Sequence, residues 1–95
     1  MIKGLVTSIV DGNTFEISIN GNGNGKRHEV VRIHGMDKPS PSTLSGILAK
    51  LELEKKIVGR TVECEVIEKD ELDNLVARVP AKYLQPSYPF PPSRD

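Results

Sequence analysis

The order of strand and helix patterns is the feature of this sequence that most restricts its fold. Segments that are rich in Val, Ile and Thr, or that alternate with period 2, predict strands at 2–10, 14–20 and 28–34. A helical pattern follows, and two more strands are predicted at 60–67 and 75–79. Three strands, one helix and two strands form the element order of an OB-type barrel. We therefore predict a mainly β, five-stranded barrel with one helix between strands three and four.

The helical pattern is carried by four large aliphatic residues that recur at positions i, i+3, i+4 and i+7. These residues are Leu44, Ile47, Leu48 and Leu51. The spacing predicts an amphipathic helix that buries this stripe, with the charged residues between 50 and 56 solvating its other side. Ser40 or Ser42 is expected to cap the start of the helix, and Gly59 to end it.

Charge and cysteine content limit the classes of partner and metal site. The 13 basic and 13 acidic residues cancel, which argues against a protein held to nucleic acid by a global basic field. A local basic cluster is present at Lys26, Arg27, His28, Arg32 and His34. It is interpreted either as a stripe that holds a phosphate backbone or as an ordinary solvated surface. The single cysteine, Cys64, excludes an internal disulfide and a cysteine-based zinc site. Its alternation with Val62 and Val66 predicts a buried, inert thiol.

The chain carries no run of 18 apolar residues and no apolar signal segment after Met1. As written, it is expected to be cytoplasmic and to have no membrane partner. We divide it into a barrel domain, residues 1–80, and a tail rich in proline and aromatic residues, residues 81–95.

Three interpretations of the tail are open. Residues 80–95 hold five of the seven prolines, so they are not expected to extend a sheet. The apolar side chains of this segment are Tyr83, Leu84, Tyr88 and Phe90. They are expected to cover a surface of the barrel, to lie in a disordered end, or to form a proline-rich docking motif for a partner.

Four short segments resemble, in order and spacing, the staphylococcal-nuclease-like (thermonuclease) family. They are Val10-Asp11-Gly12-Asn13-Thr14, Val31-Arg32-Ile33, Met36-Asp37-Lys38-Pro39-Ser40 and Asp73-Asn74-Leu75-Val76-Ala77-Arg78-Val79. The resemblance runs from Ile2 to about Val79. It implies an OB-type barrel that holds calcium and cleaves phosphodiester bonds.

Several residues match the motifs of that family. Arg32 matches its phosphate-gripping arginine, and Asp37 matches one of its two calcium carboxylates. Asp11 and Thr14 match the turn that carries the other carboxylate, and their expected role is to shape this turn. By resemblance, Arg32 is the catalytic candidate if the protein is active.

Three positions depart from the family at the residues that perform the chemistry. Asn13 replaces the second calcium carboxylate, Ser40 replaces the water-orienting glutamate, and Asn74 stands where a second arginine is typical. A calcium site at Asn13 and Asp37 is therefore expected to be weak or absent. Because a charge-stabilising arginine is worth roughly a thousandfold or more in phosphoryl transfer, efficient hydrolysis is not expected.

The sequence therefore predicts a catalytically degenerate module of this family. Its ligand, nucleic acid or another phosphate-bearing molecule, is expected over the Asp11–Thr14 turn, Arg32, His34 and Asp37. One alternative is a weak calcium-dependent nuclease, with Asn13 and Asp37 on the ion and Arg32 on the phosphate. Another is a protein-interaction domain of a larger assembly.

Overall fold

A closed barrel of five strands dominates the computed structural model, which describes residues 1–20, 25–36 and 42–84. The strands are β1 (Ile2–Asp11), β2 (Thr14–Asn20), β3 (Lys26–Ile33), β4 (Thr61–Lys69) and β5 (Leu75–Arg78). They neighbour one another in the order β1-β2-β3-β5-β4, and β4 pairs with β1 to close the barrel. Helix α1 (Leu44–Ile57) lies between β3 and β4, and a short helix α2 (Ala81–Leu84) follows β5. The predicted OB-type architecture is confirmed.

The pairing of three strands places Arg32 at one end of the barrel. The β1–β2 hairpin closes with Asp11 opposite Thr14, and Thr14 also lies opposite Arg32 in the antiparallel pair β2–β3. On its other side β3 runs parallel to β5, where Arg32 lies opposite Val76. The β1–β2 turn and the β4–β5 connection therefore approach Arg32 from opposite sides.

The core lies inside the barrel and is mainly aliphatic. Phe15 and Ile17 of β2 are fully buried, and Val31 and Ile33 of β3 face the same core. The predicted inward face of β4 is also confirmed, since Val62 and Cys64 are buried and Val66 is half-buried. Burial raises the pKa of the Cys64 thiol to about 11, so this group is neutral at physiological pH.

Helix α1 packs on the barrel with a face that the sequence pattern did not predict. The buried residues are Gly46, Leu53 and Ile57. The predicted apolar stripe is instead exposed, by 70% at Leu44, 50% at Ile47, 52% at Leu48 and 46% at Leu51. At about 100° per residue, the stripe lies on the side of the helix opposite Leu53 and Ile57. The expectation that the stripe packs on the barrel is therefore wrong.

The physical reason is the narrow contact between α1 and the barrel. Leu53 and Ile57, one turn apart, belong to the buried core cluster. Gly46 is buried on the same side of the helix, about two turns before Leu53 and about three turns before Ile57. The core therefore takes two large side chains from α1, and the stripe at residues 44, 47, 48 and 51 lies on the far side of the helix.

The ends of α1 follow capping chemistry. The hydroxyl of Thr43 accepts a hydrogen bond from the Gly46 amide at 3.1 Å, so Thr43 is the N-cap in place of the predicted Ser42. Ser40, the other predicted cap, lies outside the described residues. After the last turn, Gly59 adopts φ +86°, a left-handed conformation that favours glycine, as expected at this position.

Residues 81–84 pack on the barrel through α2. Tyr83 is buried and belongs to the core cluster, and Leu84 is half-buried against it. The Arg60 guanidinium and the Lys82 ammonium lie 5.1 and 5.2 Å from the centre of the Tyr83 ring, within the range of cation–π attraction. Of the three interpretations of the tail, the structure shows the first for Tyr83 and Leu84, which cover a surface of the barrel. Tyr88 and Phe90 lie outside the described residues.

Within the described ranges, no helix is both long and apolar enough to cross a membrane.

The orientation of α1 predicts different costs for the same substitution at two positions of the helix. Ile57→Ala removes a fully buried side chain and should lower the free energy of unfolding by about 2–5 kcal/mol. Ile47→Ala removes a half-exposed side chain and should stay within about 0.5 kcal/mol of the wild type. Urea unfolding of both variants measures the difference, and equal losses would contradict the orientation described here.

Candidate functional site

An open cavity of about 530 Å³ lies where the β1–β2 turn, β3 and the β4–β5 connection meet. Its polar lining consists of Asp11, Asn13, Thr14, Arg32, Asp70 and Asn74. Its apolar lining consists of Val10, Val30, Met36 and Leu72. Polar residues therefore outnumber apolar residues in the described lining, six to four.

The cavity brings together most of the residues that the sequence predicted for the site. Asp11, Asn13, Thr14 and Arg32 all line it. His34 does not line it; its side chain is exposed, and its backbone amide donates to the Ala77 carbonyl at 2.8 Å. The predicted metal ligand Asp37 lies outside the described residues.

Asn13 ties the β1–β2 turn to the end of β3. The residue is 5% exposed, and its side-chain amide donates to the Met36 carbonyl at 2.8 Å. Its amide oxygen accepts from the Thr14 hydroxyl at 2.9 Å. The backbone carbonyl of Asn13 accepts from the Ile33 amide, and its own N–H donates to the Asp11 carboxylate. Asn13 is therefore a structural residue, and a carboxylate at this position has no N–H to give to Met36.

Arg32 lies in the wall of the cavity and is paired with an acid. Its Nε is 3.6 Å from Oδ2 of Asp70, and 44% of its side chain is exposed. The guanidinium thus reaches both the cavity and solvent. Because the pair is partly exposed, its contribution to stability is small. The main effect of the pair is electrostatic: Asp70 partly neutralises the positive charge that Arg32 brings to the cavity.

The loop before β5 holds the Asp70 carboxylate in place. Oδ1 accepts from the backbone amides of Leu72 and Asn74 at 2.9 and 3.0 Å, and Oδ2 accepts from the Asn74 side chain at 3.4 Å. Desolvation pushes the pKa of Asp70 up, but these hydrogen bonds and the charge of Arg32 together bring it below its usual value. Asp70 is therefore an anion at neutral pH.

Asp70 is a site residue that the sequence analysis did not identify. The resemblance drew attention to Asn74, which does line the cavity, but it assigned no role to Asp70. A signal was present, because an aspartate that begins a short polar loop commonly accepts hydrogen bonds from backbone amides two residues on and beyond. That signal predicts the shape of the loop. It does not predict that the loop lies beside Arg32.

The described residues do not assemble a calcium site. Calcium requires about six to eight oxygen ligands, and no group of three or more His, Cys, Asp or Glu side chains in residues 1–20, 25–36 and 42–84 is placed to hold a metal ion. Asn13 is nearly buried and its amide is already engaged with Thr14 and Met36. Oδ1 of Asp70 is likewise engaged with the backbone of its own loop.

The ionisable residues of the described lining are one arginine and two aspartates, so its formal charge is −1. The cavity also has an apolar rim, because Val10 is 50% exposed and Leu72 is 81% exposed. A ligand that fits this lining combines a group that Arg32 can bind with an apolar surface.

Comparison with known proteins does not assign this chain to a family. No protein-family model and no curated protein sequence matches this chain. The resemblance of its four segments to the staphylococcal-nuclease-like family therefore stays a hypothesis, and the chemistry of the cavity rests on the residues that line it.

The hydrogen bonds of Asn13 predict a cost for Asn13→Asp. The new carboxylate would face the Met36 carbonyl without an N–H, and the free energy of unfolding should fall by about 1–3 kcal/mol at neutral pH. In acid the protonated carboxyl group can donate again, so the loss should shrink as the pH falls. Urea unfolding at several pH values measures both effects. A variant as stable as the wild type at neutral pH would exclude the structural role of Asn13.

The lowered pKa of Asp70 predicts a pH-dependent contribution to stability. The contribution is complete above the unfolded-state pKa of about 3.9 and is lost as the pH falls through the lower folded-state pKa. Asp70→Asn keeps an acceptor oxygen for the loop amides but removes the charge. The difference in urea midpoint between wild type and variant should therefore be present at pH 7 and shrink below about pH 4.

The matched control is Asp73→Asn in the same loop. Asp73 is exposed, pairs with Lys69, and has φ +67°, which asparagine tolerates well. A difference that is equally large and equally pH-dependent in this variant would contradict the role assigned to Asp70.

Proposed function

We propose that this protein is a binding module for a phosphate-bearing ligand, nucleic acid in the first instance, which occupies the cavity beside Arg32. The observation that carries the proposal is the position of Arg32, which is the cationic residue in the described lining and is about half exposed. A guanidinium is the side chain best suited to bind phosphate, because it offers two parallel N–H groups to two oxygens.

The composition of the cavity supports a nucleotide unit over phosphate alone. Asp70 competes for the same guanidinium, and its negative charge opposes that of an incoming phosphate. Affinity must therefore come in part from other contacts. The exposed side chains of Val10 and Leu72 offer apolar surface to a base or a sugar, and a volume of about 530 Å³ falls in the range of small-ligand pockets.

The proposal is for binding without efficient cleavage. The sequence has Ser40 where the resemblance expects a water-orienting glutamate, and Asn74 where it expects a second arginine. Asn74 lines the cavity and donates to Asp70, so it supplies no cation to a phosphate there. Among the described lining residues, Arg32 alone would have to stabilise the charge that develops during hydrolysis, and this supports a binding role.

The test is binding of fluorescent single-stranded and double-stranded DNA and RNA at low salt, followed by anisotropy. Arg32→Ala should weaken binding roughly tenfold and reduce the dependence of log affinity on log salt by about one phosphate contact. The matched control is Arg78→Ala, which removes an equal charge from an exposed arginine that pairs with Glu65 and does not line the cavity. Asp70→Asn should strengthen binding, because it removes the competing carboxylate, whereas Asp73→Asn should not.

Three results would contradict the proposal. One is the absence of binding to all four nucleic acids at low salt. Another is an equal loss in Arg32→Ala and Arg78→Ala, which would indicate attraction by overall charge alone. The third is cleavage of the labelled strand that requires both calcium and Arg32, which would favour the weak-nuclease alternative.

A further inference from the structure

A second cavity, of about 470 Å³, lies at the end of the barrel where β1, β3 and β4 begin and β2 ends. The polar residues of its described lining are Lys3, Ser18, Asn20, Lys26 and Thr61. It shares no residue with the cavity beside Arg32. Arg32 follows Lys26 by six residues on β3, so at about 3.3 Å per residue the two sites are roughly 20 Å apart. The second cavity is therefore a separate site.

The charge of the second cavity is positive. Its described lining contains two lysines and no acidic residue, so its formal charge is +2. Among the described residues, neither lysine forms a salt bridge. Glu63 lies opposite Lys3 on β4, but it does not line the cavity. Unlike Arg32, these two cations have no acid paired with them in the described structure.

The strand register places the two lysines on either side of one polar residue. Asn20 lies opposite Lys26 in the β2–β3 pair, and Leu5 lies opposite Ser18 in the β1–β2 pair. Continuing the second register by two residues on each strand places Lys3 opposite Asn20. Because neighbouring strands are about 4.8 Å apart, the Cα atoms of the two lysines are roughly 10 Å apart across β2. Their long, flexible stems allow both ammonium groups to approach one anion above Asn20.

Ser18 carries a polar group that lacks a partner. The residue is 8% exposed, and its Oγ is buried without a hydrogen bond to any described residue. Buried hydroxyl groups in folded proteins are almost always paired, so an unpaired one needs a reason. Ser18 lines the second cavity, and rotation about its Cα–Cβ bond is enough to redirect the hydroxyl. A ligand oxygen in the cavity can therefore supply the missing partner.

We propose that the second cavity binds a phosphate group, with Lys3 and Lys26 on its charge and with Ser18 and Asn20 donating to its oxygens. A phosphate monoester carries about two negative charges and three strong acceptor oxygens. These properties match two ammonium groups that approach from opposite sides together with hydroxyl and amide donors. A carboxylate has half the charge and one oxygen fewer. The inference does not depend on the ligand of the cavity beside Arg32.

The test is a titration of the full chain with pyrophosphate at constant ionic strength, followed by ¹⁵N NMR. The amide signals of residues 3–5, 18–20 and 26 should shift together and saturate, with a dissociation constant on the order of 1 mM. Acetate at the same concentrations should shift them much less, because it brings a single charge. Arg32→Ala should leave the pyrophosphate shifts at the second cavity unchanged, which separates this site from the one beside Arg32.

Lysine variants test the charge. Lys3→Gln and Lys26→Gln should each weaken pyrophosphate binding roughly three- to fivefold. The matched control is Lys55→Gln, which removes an equal charge from an exposed lysine of α1 that does not line the second cavity. This variant should bind pyrophosphate as the wild type does.

Ser18→Ala distinguishes a ligand-binding role from a structural one. The variant should bind pyrophosphate at least roughly threefold more weakly. Its urea midpoint without ligand should not fall, because the hydroxyl has no partner to lose in the free protein. The matched control is Ser8→Ala, whose hydroxyl donates to Glu16 at 3.3 Å and does not line the second cavity. A Ser18→Ala protein that is less stable but binds pyrophosphate normally would overturn the role given to Ser18.

A parallel titration with short single-stranded DNA identifies the source of the phosphate. Shifts at the second cavity with DNA would assign it to a nucleic-acid backbone, and shifts with pyrophosphate alone would assign it to a free phosphate compound. Either result supports the site. The absence of saturable shifts there up to about 20 mM pyrophosphate, well above the expected dissociation constant, would overturn it. An equal loss of binding in Lys26→Gln and Lys55→Gln would do the same, since it would indicate attraction by overall charge.

Discussion

The parallel pairing of β3 with β5 is the contact on which the rest of this structure depends. It joins the first three strands to the last two, and together with the β1–β4 pair it closes the barrel. Closure surrounds Phe15, Ile17 and Val31 with apolar side chains from the other strands. The same pairing carries residues 70–74, which precede β5, to the side of Arg32. The core and the cavity therefore arise from one long-range contact.

The cavity owes its character to the balance between Arg32 and Asp70. Arginines that bind phosphate are effective when their charge is free to act, and here a carboxylate held by three hydrogen bonds from its own loop lies 3.6 Å from the guanidinium. Such an arrangement weakens binding of a bare anion and makes the apolar rim more important. Asn13 completes the wall as a structural tie to Met36. The described lining thus combines one partly neutralised guanidinium with neutral polar and apolar side chains.

Helix α1 illustrates the difference between an amphipathic pattern and the surface that a fold buries. The pattern predicts that one face is apolar, and this is true of the face that carries Leu44, Ile47, Leu48 and Leu51. The barrel, however, packs against the opposite side of the helix through Leu53 and Ile57. Apolar residues therefore lie on both sides of the helix, although the barrel contacts only one of them.

Local patterns in the sequence were sufficient for the strands, their order along the chain, the helix and its glycine end, because alternation, periodicity and helix capping act between near neighbours. They were also sufficient to put Cys64 in the core. The tertiary structure alone decided that Asp70 lies beside Arg32, that Asn13 binds Met36 and that Tyr83 joins the core. It also decided which face of α1 is buried. These contacts join residues far apart in the chain, and a periodic pattern specifies that a face is apolar without specifying which neighbour covers it.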